Sequence, residues 1–299
     1  MTTPLTLDLH FLGKPQVVAS FLIKHDRGGI LIDCGPGSTI PALEAELQLH
    51  YLSVNDITDV LLTHIHLDHA GAAGWLASRG ARIHVHPLGA PHLLDPQKLI
   101  ASATRIYRDN MQRLWGDFLP VPANQLVQLA DGQELNIEGQ QFLVLHTPGH
   151  AEHHCAFVFE NRIAFTGDVA GVRLPGPFHL RVPMPPPEFH LEKWRASVSR
   201  LQATQFSHLA LAHFGIFDNA AEHLAVLSRE LDEVEEFMQR VLPHHSSLEE
   251  ITRQFLDWTA ARARRESLPD ELISAYEAAN PSWMSAAGMQ RYWTKWRQT

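Results

Sequence analysis

The sequence has 299 residues, of which 45% are apolar and 19% are charged. This balance is typical of a globular protein and excludes a disordered chain, a collagen and a coiled coil. Asp and Glu outnumber Lys and Arg by 33 to 24, and the resulting charge of -9 disfavours a general nucleic-acid binder.

Membrane and targeting signals are weak in this sequence. A spanning helix needs about 18 consecutive apolar residues, and no such run is present, so we expect no membrane partner. The N-terminal residues show neither the basic start nor the long apolar run of a signal peptide. Cys34 and Cys155 could form one disulfide at most. We therefore expect a cytoplasmic location.

The first part of the chain alternates between predicted strands and helices. Short apolar runs and alternating apolar residues predict strands at 5–11, 17–23, 30–33, 60–62 and 81–86. Helical spacing of apolar residues predicts helices at 41–49 and 70–78, and an amphipathic insertion at 95–115.

The second part contains further predicted strands, at 127–129, 142–145, 156–159, 163–165 and 209–212, and a helix at 191–201. Six prolines prevent regular hydrogen-bonded structure between residues 167 and 190. A long ordered loop of this kind is usually functional or a linker. Helical patterns dominate from about residue 220. We therefore predict an α/β domain over residues 1–220 and a helical extension over residues 221–299.

The 20 histidines are not evenly spread along the chain. Residues 63–69 read Thr-His-Ile-His-Leu-Asp-His, directly after an apolar strand and before a predicted helix. A loop at the end of a strand can turn successive side chains toward one point. Histidine and aspartate are standard zinc ligands, so this segment predicts a metal site.

This motif resembles that of the metallo-β-lactamase superfamily, including its glyoxalase II-like hydrolases. Later segments match the family's other ligand motifs in the right order, each after a predicted strand: 147–150, 166–168 and 212–215. Residues 32–35 resemble the family's structural Asp-x-Gly turn. The resemblance covers about residues 5–220. It implies an α/β protein with the αββα sandwich of the metallo-β-lactamase fold, followed by a C-terminal helical extension.

The resemblance further implies a catalytic domain that holds two zinc ions per chain. His64, His66 and His150 would bind the first ion, and Asp168 would bridge the two ions. The first ion would then have three neutral imidazoles and one shared carboxylate as ligands.

Asp68, His69 and His213 would bind the second ion together with the bridging carboxylate. Asp33 is expected outside the ligand set, where it would accept a hydrogen bond from a loop N–H or from a ligand imidazole.

A two-metal site lowers the pKa of a bound water and stabilises a developing oxyanion. We therefore expect a metallo-hydrolase in which a hydroxide held at the dinuclear site attacks a small ester, thioester or lactone. Asp68 would be the catalytic residue that orients the hydroxide and accepts its proton. Attack on a phosphoryl centre is the less favoured reaction.

Three alternatives remain open. An oxygenase similar to persulfide dioxygenases would hold a single iron with ligands of the His64, His150 and Asp168 type, although the presence of His213 favours two metals. A nuclease or phosphodiesterase of the same superfamily is disfavoured by the negative charge. A non-catalytic metal-binding scaffold is disfavoured because all seven ligand positions are filled.

We expect a small-molecule substrate and no nucleic-acid partner. The pocket would be built by insertions over the metals, and the sequence leaves residues 95–118, residues 167–190 and the C-terminal helices as candidates. These helices are rich in aromatic residues, so they could instead pack against the body or form a homodimer.

Overall fold

The computed structural model describes residues 3–244 and 247–297. The start of the first predicted domain (residues 1–2), the end of the second (residues 298–299) and residues 245–246 lie outside this part. A first six-stranded sheet is formed, in this spatial order, by β1 Leu5–Asp8, β2 Ala19–His25, β3 Gly28–Ile32, β4 Ile57–Leu61, β5 Arg82–Val85 and β6 Leu126–Gln128. Strands β1 to β3 pair antiparallel, whereas β3 to β6 pair parallel.

Helices connect the parallel strands of this sheet: α1 Ile40–Leu49, α2 Leu67–Ala70, α3 Ala73–Ala77, α4 Ala90–Leu94, α5 Gln97–Tyr107 and α6 Met111–Trp115. The predicted helix over 70–78 is wrong in detail, because it is divided into α2 and α3. Gly71 lies at the division, where an added Cβ would come within 2.6 Å of the Pro36 Cα and 2.7 Å of the Gly37 nitrogen. This close approach presses the start of the predicted helix against the neighbouring loop.

A second six-stranded sheet contains β7 Glu134–Ile137, β8 Gln140–His146, β9 Cys155–Phe159, β10 Ile163–Gly167, β11 His208–Leu211 and β12 Gly215–Phe217, which lie in reverse order across the sheet. Only β10 and β11 pair parallel, and α7 Leu191–Ala203 connects them. The sequence pattern predicts neither β7 nor β12. The first carries exposed polar residues at an edge, and the second has only three residues.

The two sheets face each other, and helices cover both outer faces. Phe21 of β2 packs with Phe157 and Phe165 in the apolar core between the sheets. The next residue of β2, Leu22, points the other way and joins the core between the first sheet and its helices. Successive strand residues therefore enter different cores, which explains why the strands read as continuous apolar runs. This four-layer arrangement is the αββα sandwich that the sequence predicts.

The C-terminal region is helical, with α8 Ala220–Val241, α9 Leu248–Arg265, α10 Asp270–Ala279 and α11 Ser282–Trp296. Phe255 and Met289 from these helices share one core with the outer face of the second sheet. Tyr276 anchors α10, because its hydroxyl donates to the carbonyl oxygen of His179 at 2.8 Å and accepts from the Leu174 N–H at 2.9 Å. The domain boundary at 220/221 and a homodimer through these helices stay predictions.

Within the described ranges, none of the helices combines the length and the apolar character needed to cross a lipid bilayer. The expected cytoplasmic location stays a prediction.

Candidate metal centre

The predicted ligands converge at one end of the sandwich, where several strands stop. The segment 63–69 follows β4, and residues 147–150 follow β8. Asp168 follows β10, and His213 comes two residues after the end of β11. The loops that follow these strands, from both sheets, therefore lie close together. The structure brings all seven predicted ligand residues together there.

The first group consists of three imidazoles. The Nε2 atom of His64 lies 2.9 Å from Nδ1 of His66, and Nε2 of His150 lies 2.9 Å from the same Nδ1 atom. Each residue offers a nitrogen atom to a common centre. Three converging imidazole nitrogens form a typical zinc-binding set.

The second group combines imidazoles with carboxylates. The Nε2 atom of His213 lies 3.5 Å from an Asp68 oxygen, and Nε2 of His69 lies 3.8 Å from the same oxygen. Asp168 connects the two groups, since its Oδ1 lies 3.4 Å from His69 Nε2 and its Oδ2 lies 3.3 Å from His150 Nε2. One carboxylate oxygen therefore faces each group, as a bridging ligand requires.

The donor atoms of the second group have the spacing of ligands around a metal ion. Two ligand atoms at about 2.1 Å from a tetrahedral ion lie about 3.4 Å apart, close to the separations found in the second group. His69 Nε2 and Asp168 Oδ1 are buried and have no hydrogen-bond partner within the described residues. Buried polar atoms rarely stay unpaired, because removing them from water without a partner is costly. A cation held between these atoms would satisfy both.

Hydrogen bonds fix the orientation of the ligand imidazoles. The Nδ1–H of His150 donates to the carbonyl oxygen of Pro183 at 2.8 Å, and that of His213 donates to the carbonyl oxygen of Val17 at 2.7 Å. A carbonyl oxygen can only accept, so the proton lies on Nδ1 in both residues. Their Nε2 lone pairs are therefore turned toward the metal centre, as in known metal sites.

Asp33 lies next to the second group and is not among the clustered donor residues; its place outside the ligand set stays a prediction. It adopts a left-handed backbone conformation with φ of 54°, which is uncommon outside glycine. Its carboxylate accepts from the Thr63 N–H at 2.7 Å and the Thr63 hydroxyl at 2.8 Å, and contacts Nδ1 of His69 at 2.8 Å. These contacts hold the metal-binding loop and one imidazole in place.

The charge environment differs between the two groups. Burial lowers the pKa of His64, His66 and His150, which favours neutral imidazoles with free lone pairs. Burial alone would also lower the pKa of His69 and His213, but neighbouring carboxylates outweigh it and raise both values. The second group therefore attracts positive charge, which suits a divalent cation.

Several supporting residues could not be identified from the sequence. His154 is buried; its Nδ1 contacts the Thr147 hydroxyl at 2.8 Å, and its Nε2 accepts the Asp168 N–H at 3.3 Å. His153 contacts Glu188 at 3.2 Å, beside His66. The sequence alone leaves supporting and surface positions open for both histidines, because it gives no signal that separates the two. Both are buried in the structure.

A cavity of about 570 Å³ opens above the metal centre, with Asp68, Asp168 and His213 among the residues that line it. Its walls come from all three candidate segments: Ile106 and Tyr107 of α5, residues 183–188 of the proline-rich loop, and residues 277–281 and 283–284 around the turn between α10 and α11. The C-terminal helices therefore contribute to the cavity together with both insertions.

A family model described as the metallo-beta-lactamase superfamily matches residues 13–213, well over half of the chain. The chain belongs to this superfamily, whose members are metallo-hydrolases. The predicted superfamily and enzyme class are confirmed at this level. Binding of a metal by the clustered His and Asp residues is consistent with it, whereas the role of each ligand and the identity of the metal stay predictions.

Relatives differ in how much of their length this chain covers. A metallo-beta-lactamase fold-containing protein of Sulfurisphaera tokodaii is 24% identical over 223 residues, which are 72% of this chain and 81% of that protein. A lactamase-like protein of Emericella nidulans is 32% identical over 154 residues, which are 51% of this chain and 40% of the relative. A hydroxyacylglutathione hydrolase of Xylella fastidiosa is 33% identical over 147 residues, 49% of this chain and 43% of that enzyme. The chain thus spans less than half the length of the last two relatives.

Solved structures confirm the predicted fold. A metallo-beta-lactamase family protein from Thermus thermophilus aligns with a TM-score of 0.71 and 20% identity, covering 98% of this chain and 93% of that chain. The similarity includes the C-terminal helical region. At this identity it shows the fold alone.

Proposed function

We propose that the protein is a hydrolase that uses two zinc ions to cleave a small ester, thioester or lactone. The observation that carries this proposal is the position of Asp168, whose two oxygens face the two ligand groups. A second observation is the cavity directly above both groups. Similarity to a hydroxyacylglutathione hydrolase supports hydrolysis of a thioester.

In this reaction, water adds to the carbonyl carbon, the bond from that carbon to oxygen or sulfur breaks, and the leaving atom gains a proton. The metal ions, when bound, supply an activated water and stabilise negative charge. Asp68 lines the cavity and is the residue that accepts and passes on the proton. Neighbouring His69 and His213 overcome the effect of burial and lower the pKa of Asp68, so it is a carboxylate at neutral pH.

Tyr107 of α5 also lines the cavity and would bind the substrate there. Burial raises the pKa of its phenol, which therefore keeps its proton. Its hydroxyl contacts the sulfur of Met284 at 3.7 Å, and a thioether is a weak acceptor. The hydroxyl is thus available to donate a hydrogen bond to a substrate oxygen.

Removal and return of metal tests this function. We expect the chelated protein to lose hydrolysis of p-nitrophenyl acetate, a thioester or a lactone, and two equivalents of zinc to restore it. Bis-p-nitrophenyl phosphate and glutathione persulfide serve as the comparison substrates. Restoration by iron, with oxygen consumption on the persulfide and no ester cleavage, would contradict the proposal, as would a preference for the phosphodiester.

A further inference from the structure

Apart from the candidate metal ligands, the charged residues on the cavity wall are two carboxylates and two cations. The carboxylates already have partners: Glu188 accepts from the Glu152 N–H and contacts His153, and Glu277 binds Arg181 and Ser282. The lining cations are Lys98 and Arg113.

Neither cation forms an ion pair within residues 3–244 and 247–297. In the part of the chain that the structure describes, no ion pair involves Lys98, and Arg113 only donates to the neutral side-chain oxygen of Asn110 at 3.2 Å. Both side chains are exposed at the cavity. The surrounding segment 90–115 holds four Lys or Arg residues against two Asp residues, within a chain whose charge is -9. The cavity therefore has a locally positive wall that could receive an anion.

The rest of the wall is mainly apolar. Lys98, Ser102 and Ile106 line the cavity at helical spacing, so one face of α5 runs along it. Beyond Ile106 come Tyr107 and, from α11, Trp283, whose rings lie 6.1 Å apart. Lys98 and Ile106 are eight positions apart along the helix, which is about 12 Å along the axis. Lys98 is thus separated from Ile106, and from the aromatic rings beyond it, by the length of a medium-sized acyl chain, while Arg113 lies on the following helix, α6.

We propose that the substrate is an amphipathic ester or thioester, with an apolar acyl group packed between α5 and α11 and an anionic group held by Lys98 and Arg113. This inference rests on the proposed hydrolase function and names its substrate class. Hydrolysis adds water across the carbonyl bond to oxygen or sulfur, giving the free acid and an alcohol or thiol. The anionic group takes no part in the bond change and serves only for recognition.

Charge reversal tests the anionic subsite. The three probes are neutral p-nitrophenyl octanoate, mono-p-nitrophenyl suberate with a carboxylate on the acyl chain, and octanoyl-coenzyme A with anionic groups on the leaving part. For Lys98→Glu and Arg113→Glu, we expect the KM ratio of an anionic to the neutral probe to rise about tenfold. A rise for the suberate ester places the anionic group on the acyl chain of the substrate. A rise for octanoyl-coenzyme A places it on the leaving part. Arg229→Glu on α8 is the control, because this exposed cation does not line the cavity.

A bulky side chain tests the apolar subsite. In the unchanged protein we expect kcat/KM to rise roughly fourfold per methylene from acetyl to octanoyl esters. Ser102→Trp should remove this preference by filling the cavity. Ala101→Trp is the matched control, since the neighbouring residue is exposed and does not line the cavity. Equal effects of both tryptophans, or no chain-length preference, would overturn the apolar subsite.

Two results separate this inference from the proposed function. If esters are cleaved but charge reversal leaves the KM ratio unchanged, the anionic subsite is wrong and the hydrolase function stands. If no ester is cleaved, the function fails, and calorimetry with octyl sulfate and octyl glucoside tests the subsite alone. Selective weakening of octyl sulfate binding by Lys98→Glu would support it, and equal affinities in both proteins would overturn it.

Discussion

Asp168→Ala is expected to abolish hydrolysis and to remove most of the bound metal. The change deletes the carboxylate whose oxygens lie 3.3 Å from His150, 3.4 Å from His69 and 3.5 Å from His213. Both ligand groups lose a negative donor at once. We expect kcat/KM to fall by about a thousandfold or more, equal to about 4 kcal/mol of transition-state stabilisation. Steady-state kinetics and metal analysis of the same sample measure both effects.

The control for this variant is Asp232→Ala, which removes a surface carboxylate paired with Arg195 on α7. An exposed ion pair contributes little to stability, so this change should alter neither metal content nor turnover. Thermal unfolding of both variants checks that the chain still folds. Normal metal content with full activity in Asp168→Ala would show that this residue does not bridge the two groups.

Asp68→Asn should separate proton transfer from substrate binding. The amide keeps the shape of the side chain but cannot accept a proton as a carboxylate does. We expect kcat to fall by about 10²- to 10⁴-fold, as for loss of a general base, with a smaller change in KM. The second metal should also bind more weakly, since Asp68 lies 3.5 Å from His213 in that group. Titration against a competing chelator measures the affinity.

The pH dependence provides a further readout for Asp68. Its lowered pKa places the carboxylate in its ionised form throughout the neutral range, so activity dependent on it should persist until the solution is strongly acidic. The asparagine variant should lose this acidic limb of the profile. Full turnover by Asp68→Asn at normal metal content would exclude Asp68 as the base.

The sequence predicts the layers well because they follow from local patterns, and the first candidate ligands also stand out locally. Apolar runs mark strands such as β4, which are buried on both faces, and the segment 63–69 places three histidines and an aspartate directly after that strand. The resemblance to the metallo-β-lactamase superfamily then associates His150, Asp168 and His213 with the same site. None of this requires knowledge of distant contacts.

The supporting contacts could not be predicted, because they join residues that are far apart in sequence. The carbonyl oxygens of Val17 and Pro183 orient two ligand imidazoles, yet any residue type supplies a carbonyl. The contact between the Tyr107 hydroxyl and Met284 also joins distant residues, because Met284 lies on α11. Short or polar edge strands such as β7 are not predicted for a related reason. Their residues have a weak intrinsic preference for strand structure, and pairing with a neighbouring strand outweighs it.

The number and identity of metal ions per chain test the central claim most directly. The protein should be purified without added metal and examined by elemental mass spectrometry, with protein concentration determined independently. Two ligand groups joined by Asp168 predict about two zinc ions per chain. About one iron per chain, with no metal at the group of Asp68, His69 and His213, would contradict the two-metal account and favour oxygen chemistry instead.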